Sequence, residues 1–230
     1  MQRYQSAVAP LPAHAESAND FLWVTYRWMS LGLAITGAVA LLVSRSPAAL
    51  SFFVENRIVF FGLMIAQLGL VIAFSSVVDR IGTPAAAAMF FSYAALTGVT
   101  FSVLFLVYTA SSIASTFFVT AGAFAGLSLF GSVTKRDLSV VGRFAFFALI
   151  GLILASVVNI FLKSSSLMWL TTFAGVGIFG ALTAYDTQRL RAMHADGYGS
   201  SNLALRGALM LYLDFINMFL LLLRLFGRRR

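Results

Sequence analysis

The sequence predicts an all-α integral membrane protein, a bundle of seven transmembrane helices, from its composition and from its hydrophobic runs. Of its residues, 60% are hydrophobic and only 10% are charged, which is more apolar surface than a soluble globule of this length needs. The apolar residues form runs of roughly 20 residues, the helix length that crosses a hydrocarbon core about 30 Å thick. Because the connections between runs are short, we expect one compact bundle without a separate soluble domain.

The predicted spans occupy nearly all of the chain after its first 20 residues. Their approximate ranges are 24–43, 58–78, 85–107, 112–133, 141–162, 167–189 and 203–225. Residues 21–230 are therefore predicted to form a single transmembrane helical domain.

The first 20 residues have a different composition, with Pro10, Pro12 and scattered alanine and serine. We expect residues 1–20 to form a disordered or loosely held tail. A cleavable signal peptide needs a continuous apolar core after its basic start, and the two prolines interrupt the region that follows Arg3.

The basic residues indicate an orientation, because cytoplasmic loops of membrane proteins carry an excess of Lys and Arg. Alternating spans place one set of cations on one side: Arg3, Arg27, Arg80, Lys135, Arg136, Arg143, Arg189, Arg191 and Arg206. The opposite side receives Arg45, Arg57 and Lys163. This distribution favours a cytoplasmic N-terminus.

The C-terminal cluster Arg224, Arg228, Arg229 and Arg230 does not fit that orientation, since seven full spans put it outside. Either the last segment re-enters the membrane, or the cations of the earlier loops set the orientation despite the C-terminal cluster. We prefer seven full spans.

Several function classes are excluded by composition. The chain has no cysteine, which rules out disulfides, thiol nucleophiles and zinc–thiolate sites. The net charge of +8 is explained by anionic lipid and topology rather than by nucleic acid, because the cations flank hydrophobic segments. No phosphate-binding glycine loop, Ser/His/Asp order or zinc-hydrolase motif is present. We therefore expect no enzyme and no tightly bound cofactor.

Small residues predict close helix packing in two segments. Gly122 and Gly126 form a GxxxG pair, and Gly175, Gly177 and Gly180 smooth the sixth segment. Tight helix contacts explain both patterns without a binding site.

Two acidic residues, Asp186 and Asp214, lie inside the sixth and seventh hydrophobic segments. An acid near the centre of a membrane helix costs roughly 2.5–3.5 kcal/mol, so it normally faces a partner or a water-filled cavity. The two segments run antiparallel, and the helical rise puts both acids at depths within a turn or two of each other. We expect the carboxyl groups to meet in the cytoplasmic half of the bundle.

Two close carboxylates in a poorly hydrated site cannot easily both ionise, so we expect them to share a proton and to titrate as a unit. Thr183 and Asn217, each about one turn from an aspartate, are suitable hydrogen-bond partners. Calcium prefers oxygen ligands, but two side chains supply too few for a tight site. We expect weak, transient calcium coordination at Asp186 and Asp214.

A simpler interpretation remains open at these positions. Asp186 and Asp214 can each bond independently to backbone or nearby polar groups and serve only helix packing. Asn159 and Asn217 fit interhelical hydrogen bonding at least as well as ion binding.

The motifs around these residues resemble the transmembrane Bax inhibitor motif family, which includes Bax inhibitor-1 and many bacterial homologues. The strongest matches are Tyr185-Asp186-Thr187 and Leu211-Tyr212-Leu213-Asp214-Phe215-Ile216-Asn217; lesser ones are Asn159-Ile160-Phe161 and residues 29–37, MSLGLAITG. The resemblance covers all of the hydrophobic chain.

The resemblance implies six helices around a central C-terminal helix, a pH-responsive aspartate pair and a calcium leak across the membrane. It also implies an arginine of the second segment that pairs with the seventh-segment aspartate; Arg80 is the loose match. Arg80 follows Asp79, with which it could form a local interfacial pair, and long basic side chains near span ends commonly reach the interface. The family often has an acid in the second span, where this chain has Gln67.

The sequence thus supports two main hypotheses. The first is a pH-sensitive calcium leak channel with Asp186, Asp214 and Arg80 as gate and sensor. The second, which the resemblance to the bacterial branch of the family implies, is a membrane interaction protein that modulates a partner such as a membrane-bound quality-control protease. Proton-coupled transport is a weaker third. No organelle-targeting segment is evident, so a bacterial plasma membrane is the expected location.

Overall fold

A computed structural model describes residues 13–195 and 201–230 of the chain. In those ranges the backbone is almost entirely helical, apart from one isolated bridge between Tyr108 and Arg229. The helices are α1 (Ala13–Ser44), α2 (Pro47–Glu55), α3 (Arg57–Val77), α4 (Thr83–Phe101), α5 (Leu104–Val107), α6 (Ala110–Val133), α7 (Ser139–Leu162), α8 (Ser165–Ala195) and α9 (Ser201–Phe226).

Seven stretches of the described helices are long and apolar enough to cross a membrane. They are Asn19–Ser44, Arg57–Val77, Thr83–Val107, Ala110–Val133, Ser139–Leu162, Ser165–Met193 and Asn202–Phe226. The predicted all-α bundle with seven membrane-spanning helices is confirmed, and each predicted span lies within a few residues of an observed one.

The connection between the first two spans contains a short helix, α2, that the hydrophobic pattern does not predict. Pro47 occupies its first turn, and the Ser46 hydroxyl accepts a hydrogen bond from the Ala49 amide. Both features favour a helix start. At the N-terminus, α1 begins at Ala13, inside the range predicted as a tail, whereas residues 1–12, with Arg3, lie outside the described residues.

Hydrogen bonds define two ends of the bundle. At the α8–α9 end, the Asn202 side chain donates to the carbonyls of Val78 (2.8 Å) and Ile81 (2.7 Å), which joins α9 to the α3–α4 loop. At the C-terminal end, the Arg228 carbonyl accepts from the Thr109 amide at 3.0 Å. Because α9 joins both ends, it is a full span rather than a re-entrant segment.

The C-terminal helix α9 is the most buried of the seven spans. In its most apolar stretch 56% of the residues are buried, against 6% in α3 and in α7. It contacts α1, α4, α6 and α8. The expected central position of α9 stays a prediction, and this burial supports it.

Among the three glycines of α6, the one that lies close to a neighbouring helix is Gly131, not a member of the GxxxG pair. A Cβ added at Gly131 would overlap the backbone of Ala184 in α8, whereas one added at Gly122 or Gly126 would meet nothing within 4 Å. The predicted tight contact at Gly122 and Gly126 is therefore wrong. The spacing is present, but at these two positions α6 meets no other helix of residues 13–195 and 201–230.

The close packing predicted at the three glycines of α8 is found at two of them. A Cβ at Gly175 would lie 2.7 Å from the Leu221 side chain, and one at Gly180 would lie 3.3 Å from Leu127, which are close contacts. Gly177 faces open space.

We expect Gly131→Val to destabilise the protein by about 1–3 kcal/mol, because overpacking forces α6 and α8 apart. Gly122→Val, in the same helix, is the matched control and should change stability by no more than about 0.5 kcal/mol. Unfolding of the purified protein in detergent, followed by circular dichroism, measures both. Equal stability of the two variants would contradict the packing at Gly131.

Candidate functional site

The two intramembrane acids lie on neighbouring antiparallel helices. Asp186 in α8 and Asp214 in α9 are only 8% and 5% exposed. Both helices bury the positions around them: Thr187 is fully buried beside Asp186, and Tyr212 is fully buried two residues before Asp214. The site is thus enclosed by protein rather than by lipid.

The carboxyl groups of Asp186 and Asp214 lie within hydrogen-bonding reach of each other. The Asp214 Oδ2 atom is buried and receives no hydrogen bond from a donor in the described part of the chain. A carboxylate can only accept, so the two side chains can bond to each other only when one of them is protonated. The arrangement is suited to holding one proton between two acids.

The charges around the pair are few. Arg189, about one turn beyond Asp186 in α8, interacts electrostatically with that carboxyl group. Asp214 has Asp186 as its charged neighbour. Among the described residues, Arg189 is thus the cation that acts on the pair, and it lies between the pair and the α8–α9 end.

The predicted polar partners do not bond to the acids. The Thr183 hydroxyl donates to the Phe179 carbonyl at 2.8 Å, and the Asn217 amide donates to the Leu213 carbonyl at 2.8 Å. Each side chain bonds instead to the carbonyl one turn earlier in its own helix, a common alternative for short polar side chains.

Asn159 lies at the C-terminal end of the bundle, away from the acids. Its side-chain oxygen accepts from the Ser164 amide at 2.9 Å. Lys163 between them adopts a left-handed conformation with φ of 49°. Asn159 thus closes the turn between α7 and α8.

Arg80 is not brought to the aspartates in this structure. It is exposed at the end of α3, and Asp79 pairs with Arg206 of α9 at 2.9 Å rather than with Arg80. Both partners of that ion pair are well exposed, so its contribution to stability is small. Gln67 donates to the Thr100 hydroxyl at 3.1 Å and joins α3 to α4.

Two sets of hydroxyl contacts that were not predicted from the sequence join the aspartate motifs to α1. The Tyr212 hydroxyl lies 2.6 Å from the Thr36 hydroxyl, which also reaches the Ala94 carbonyl at 2.9 Å. These bonds join α9, α1 and α4. Tyr212 is part of the seventh-segment motif, so a hydroxyl inside an apolar run was the available signal.

The second contact is a chain of hydroxyl groups through α6. Thr187 of α8 lies 2.9 Å from the Ser128 hydroxyl, and Ser128 also bonds to the Tyr26 hydroxyl of α1. Both aspartate-bearing helices are therefore linked to α1 by residues adjacent to the acids.

A large apolar cleft of about 1260 Å³ lies between α1 and α6, with α9 as its floor. It extends from Asn19 and Ser132 at the α8–α9 end to Leu41 and Ala110 toward the C-terminal end. Tyr26 and Ser128 line it. The cleft runs along nearly the full length of the membrane-spanning helices.

Comparisons with known proteins agree with the resemblance of the motifs. The family model described as "Inhibitor of apoptosis-promoting Bax1" matches residues 18–230. The chain is 51% identical over 217 residues to the "Inner membrane protein YbhL" of Escherichia coli strain K12, covering 92% of this chain and 93% of that protein. It is 42% identical over 217 residues to an uncharacterised protein of Deinococcus radiodurans, covering 93% of both chains.

A third relative is an uncharacterised protein of Borreliella burgdorferi, 41% identical over 216 residues, covering 92% of this chain and 93% of the relative. The family match includes all seven spans and both aspartate motifs. The chain belongs to the transmembrane Bax inhibitor motif family of membrane proteins.

Proposed function

We propose that the protein is a pH-sensitive calcium leak channel gated by Asp186 and Asp214. The observation that carries this proposal is the burial of the two carboxyl groups against each other, with Asp214 Oδ2 lacking a donor among the described residues. Such a pair binds a proton as one unit. No catalytic activity and no tightly bound cofactor form part of the proposal.

Loss of the shared proton is the proposed gating event. With one proton the acids form a hydrogen bond between α8 and α9; without it two negative charges repel each other in a poorly hydrated site. Repulsion separates the helices or draws in a cation. Raising the pH therefore opens the path, and lowering it restores the bond.

The aspartate pair is suited to weak, transient calcium binding rather than to tight calcium binding. It normally takes six to eight oxygen ligands, whereas no third Asp, Glu or His joins the pair within the described ranges. Two carboxylates attract a divalent cation without holding it tightly. That combination suits a conduction path.

The proposed setting is the bacterial inner membrane with a cytoplasmic N-terminus. The E. coli relative YbhL is named as an inner membrane protein. For the orientation, the cations at the α8–α9 end lie in the loops between spans, as Arg80, Lys135 and Arg136 do, or within the end turns of the spans, where the charge rule applies. Arg228 and its neighbours lie at the other end in a short tail. In this orientation Arg80 remains the candidate latch in another conformation.

The cleft between α1 and α6 favours a second candidate function, that of a membrane interaction protein. A groove of this size along the spans can receive an apolar helix of a partner, such as a membrane-bound quality-control protease. Its walls include small residues, with Ala34 and Gly37 in α1 facing Ala121 and Ala125 in α6. Small residues allow helices to approach closely.

The leak is tested with purified protein in calcium-free liposomes that contain a calcium-sensitive dye. We expect wild-type influx to rise with pH, because deprotonation separates the pair. Asp186→Asn and Asp214→Asn should each remove most of this pH dependence. The exposed Asp79→Asn is the matched control and should keep it. Equal influx in wild type, all variants and empty liposomes would refute the leak.

Proton sharing predicts that Asp186→Asn and Asp214→Asn are not additive. Residues in contact show coupling energies of about 0.5–3 kcal/mol in double-mutant cycles. The free energy of unfolding in detergent, measured for both single variants and the double variant, gives the coupling. A cycle between Asp186→Asn and Asp79→Asn serves as control and should be additive. Additivity in both cycles would favour independent packing roles for the acids.

The partner hypothesis predicts that filling the cleft weakens co-purification of the partner. Gly37 lines the cleft, and a Cβ there meets nothing within 4 Å, so Gly37→Leu fills the groove without a clash at Cβ. Gly151→Leu, which is equally open but on α7, is the control. Affinity purification of the full-length protein from membranes compares them. Identical partner recovery with both variants would exclude the cleft as the docking site.

A further inference from the structure

A polar pocket of about 350 Å³ lies at the α8–α9 end of the bundle, separate from the apolar cleft. It is formed by the connection between α6 and α7 and by the last turns of α8. Its lining residues are Lys135, Arg136, Asp137, Ser139, Tyr185, Gln188, Arg189 and Ala192.

The pocket has a fixed wall, because Gln188 holds the α6–α7 connection at two points. Its side-chain nitrogen donates to the Arg136 carbonyl at 2.8 Å, and its side-chain oxygen accepts from the Leu138 amide at 2.9 Å. A loop fixed in this way loses little conformational entropy when a ligand binds.

The lining carries more positive than negative charge. Lys135, Arg136 and Arg189 are exposed, and none forms an ion pair with another described residue. Asp137 is the single acid in the lining, so the formal sum of three cations and one anion is +2.

The Asp137 carboxylate already accepts hydrogen bonds from a nearby residue of the same loop. The Ser139 hydroxyl (2.6 Å) and the Ser139 amide (2.8 Å) donate to its carboxylate. These bonds, aided by Arg143, hold the pKa of Asp137 below its ordinary value. Asp137 is therefore ionised at neutral pH and turned toward Ser139, which leaves the three cations available to an anionic ligand.

We propose that this pocket binds the phosphate group of an anionic phospholipid. Arg and Lys are the side chains that bind phosphate oxygens most strongly. The α7 span begins at Ser139 and the α8 span ends at Met193, so the pocket lies at the depth of lipid headgroups.

The neighbouring surface favours a lipid over free phosphate as the source. Val140 and Phe144, in the first turns of α7, are 65% and 74% exposed. They offer an apolar face beside the pocket for the acyl chains of the same molecule. A free phosphate ion uses the cations but not this face.

Arg189 connects this pocket to the acids, since it also interacts with Asp186. A bound phosphate group would draw that cation away from the pair and so alter its proton affinity. This consequence rests on the proposed function, whereas the binding itself does not.

The test is native mass spectrometry of the full-length protein in detergent, titrated with phosphatidylglycerol, with phosphatidylcholine or with inorganic phosphate. We expect one phosphatidylglycerol to bind more tightly than phosphatidylcholine. Each cation near a membrane surface contributes enough for roughly a fivefold change in affinity. Arg189→Gln should therefore weaken binding about fivefold, and the triple variant Lys135→Gln/Arg136→Gln/Arg189→Gln should abolish the preference.

Two controls separate a built pocket from diffuse charge. Arg228→Gln/Arg229→Gln/Arg230→Gln removes the same charge at the opposite end and should retain binding. Gln188→Leu keeps all three cations but releases the loop, and it should weaken binding while circular dichroism shows an intact helical fold. Unchanged binding in Gln188→Leu, or equal loss in both triple variants, would overturn the pocket. Occupancy by inorganic phosphate without preference for phosphatidylglycerol would overturn the lipid as its source.

Discussion

The burial of two acids, Asp186 in α8 and Asp214 in α9, is the constraint that the packing of these two helices must accommodate. Each acid costs roughly 2.5–3.5 kcal/mol near the centre of a membrane helix, and neither is accommodated by an adjacent ion pair such as Asp79 has with Arg206. The acids are tolerated because α8 and α9 enclose them together. The heavy burial of α9 supplies packing that offsets their cost.

Helix α1 is linked by hydrogen bonds to both aspartate motifs. Through Thr36 it bonds to Tyr212, and through Tyr26 and Ser128 it is linked to Thr187. Tyr26 and Ser128 also line the apolar cleft. A change in the separation of α8 and α9 would therefore reach the wall of the cleft. In that way the two candidate functions are not independent: the state of the aspartate pair would bias the surface offered to a partner.

The seven spans were predictable because length and apolarity are local properties of the sequence. The proximity of Asp186 and Asp214 followed from antiparallel order and helical rise. The prediction that was wrong concerned which face of a helix packs against a neighbouring helix. Gly122 and Gly126 have the spacing of a contact but face open space, whereas Gly131, without that spacing, contacts Ala184. The packed side of α6 is marked instead by buried hydroxyl residues at intervals of four or eight positions, namely Ser112, Thr116, Thr120 and Ser128.

The role of the acids in gating stays a prediction, and its physical basis is that Asp214 Oδ2 has no donor among the described residues other than a protonated Asp186. A buried acceptor without a donor costs about 1–3 kcal/mol, and the shared proton supplies the donor that the pair would lack when both acids are ionised. Thr183 and Asn217 could have supplied donors, yet both bond to their own helices. Water or a cation that reaches Asp214 recovers this cost. A gate needs two arrangements that differ little in free energy, and in the proposed gate the shared proton decides between them.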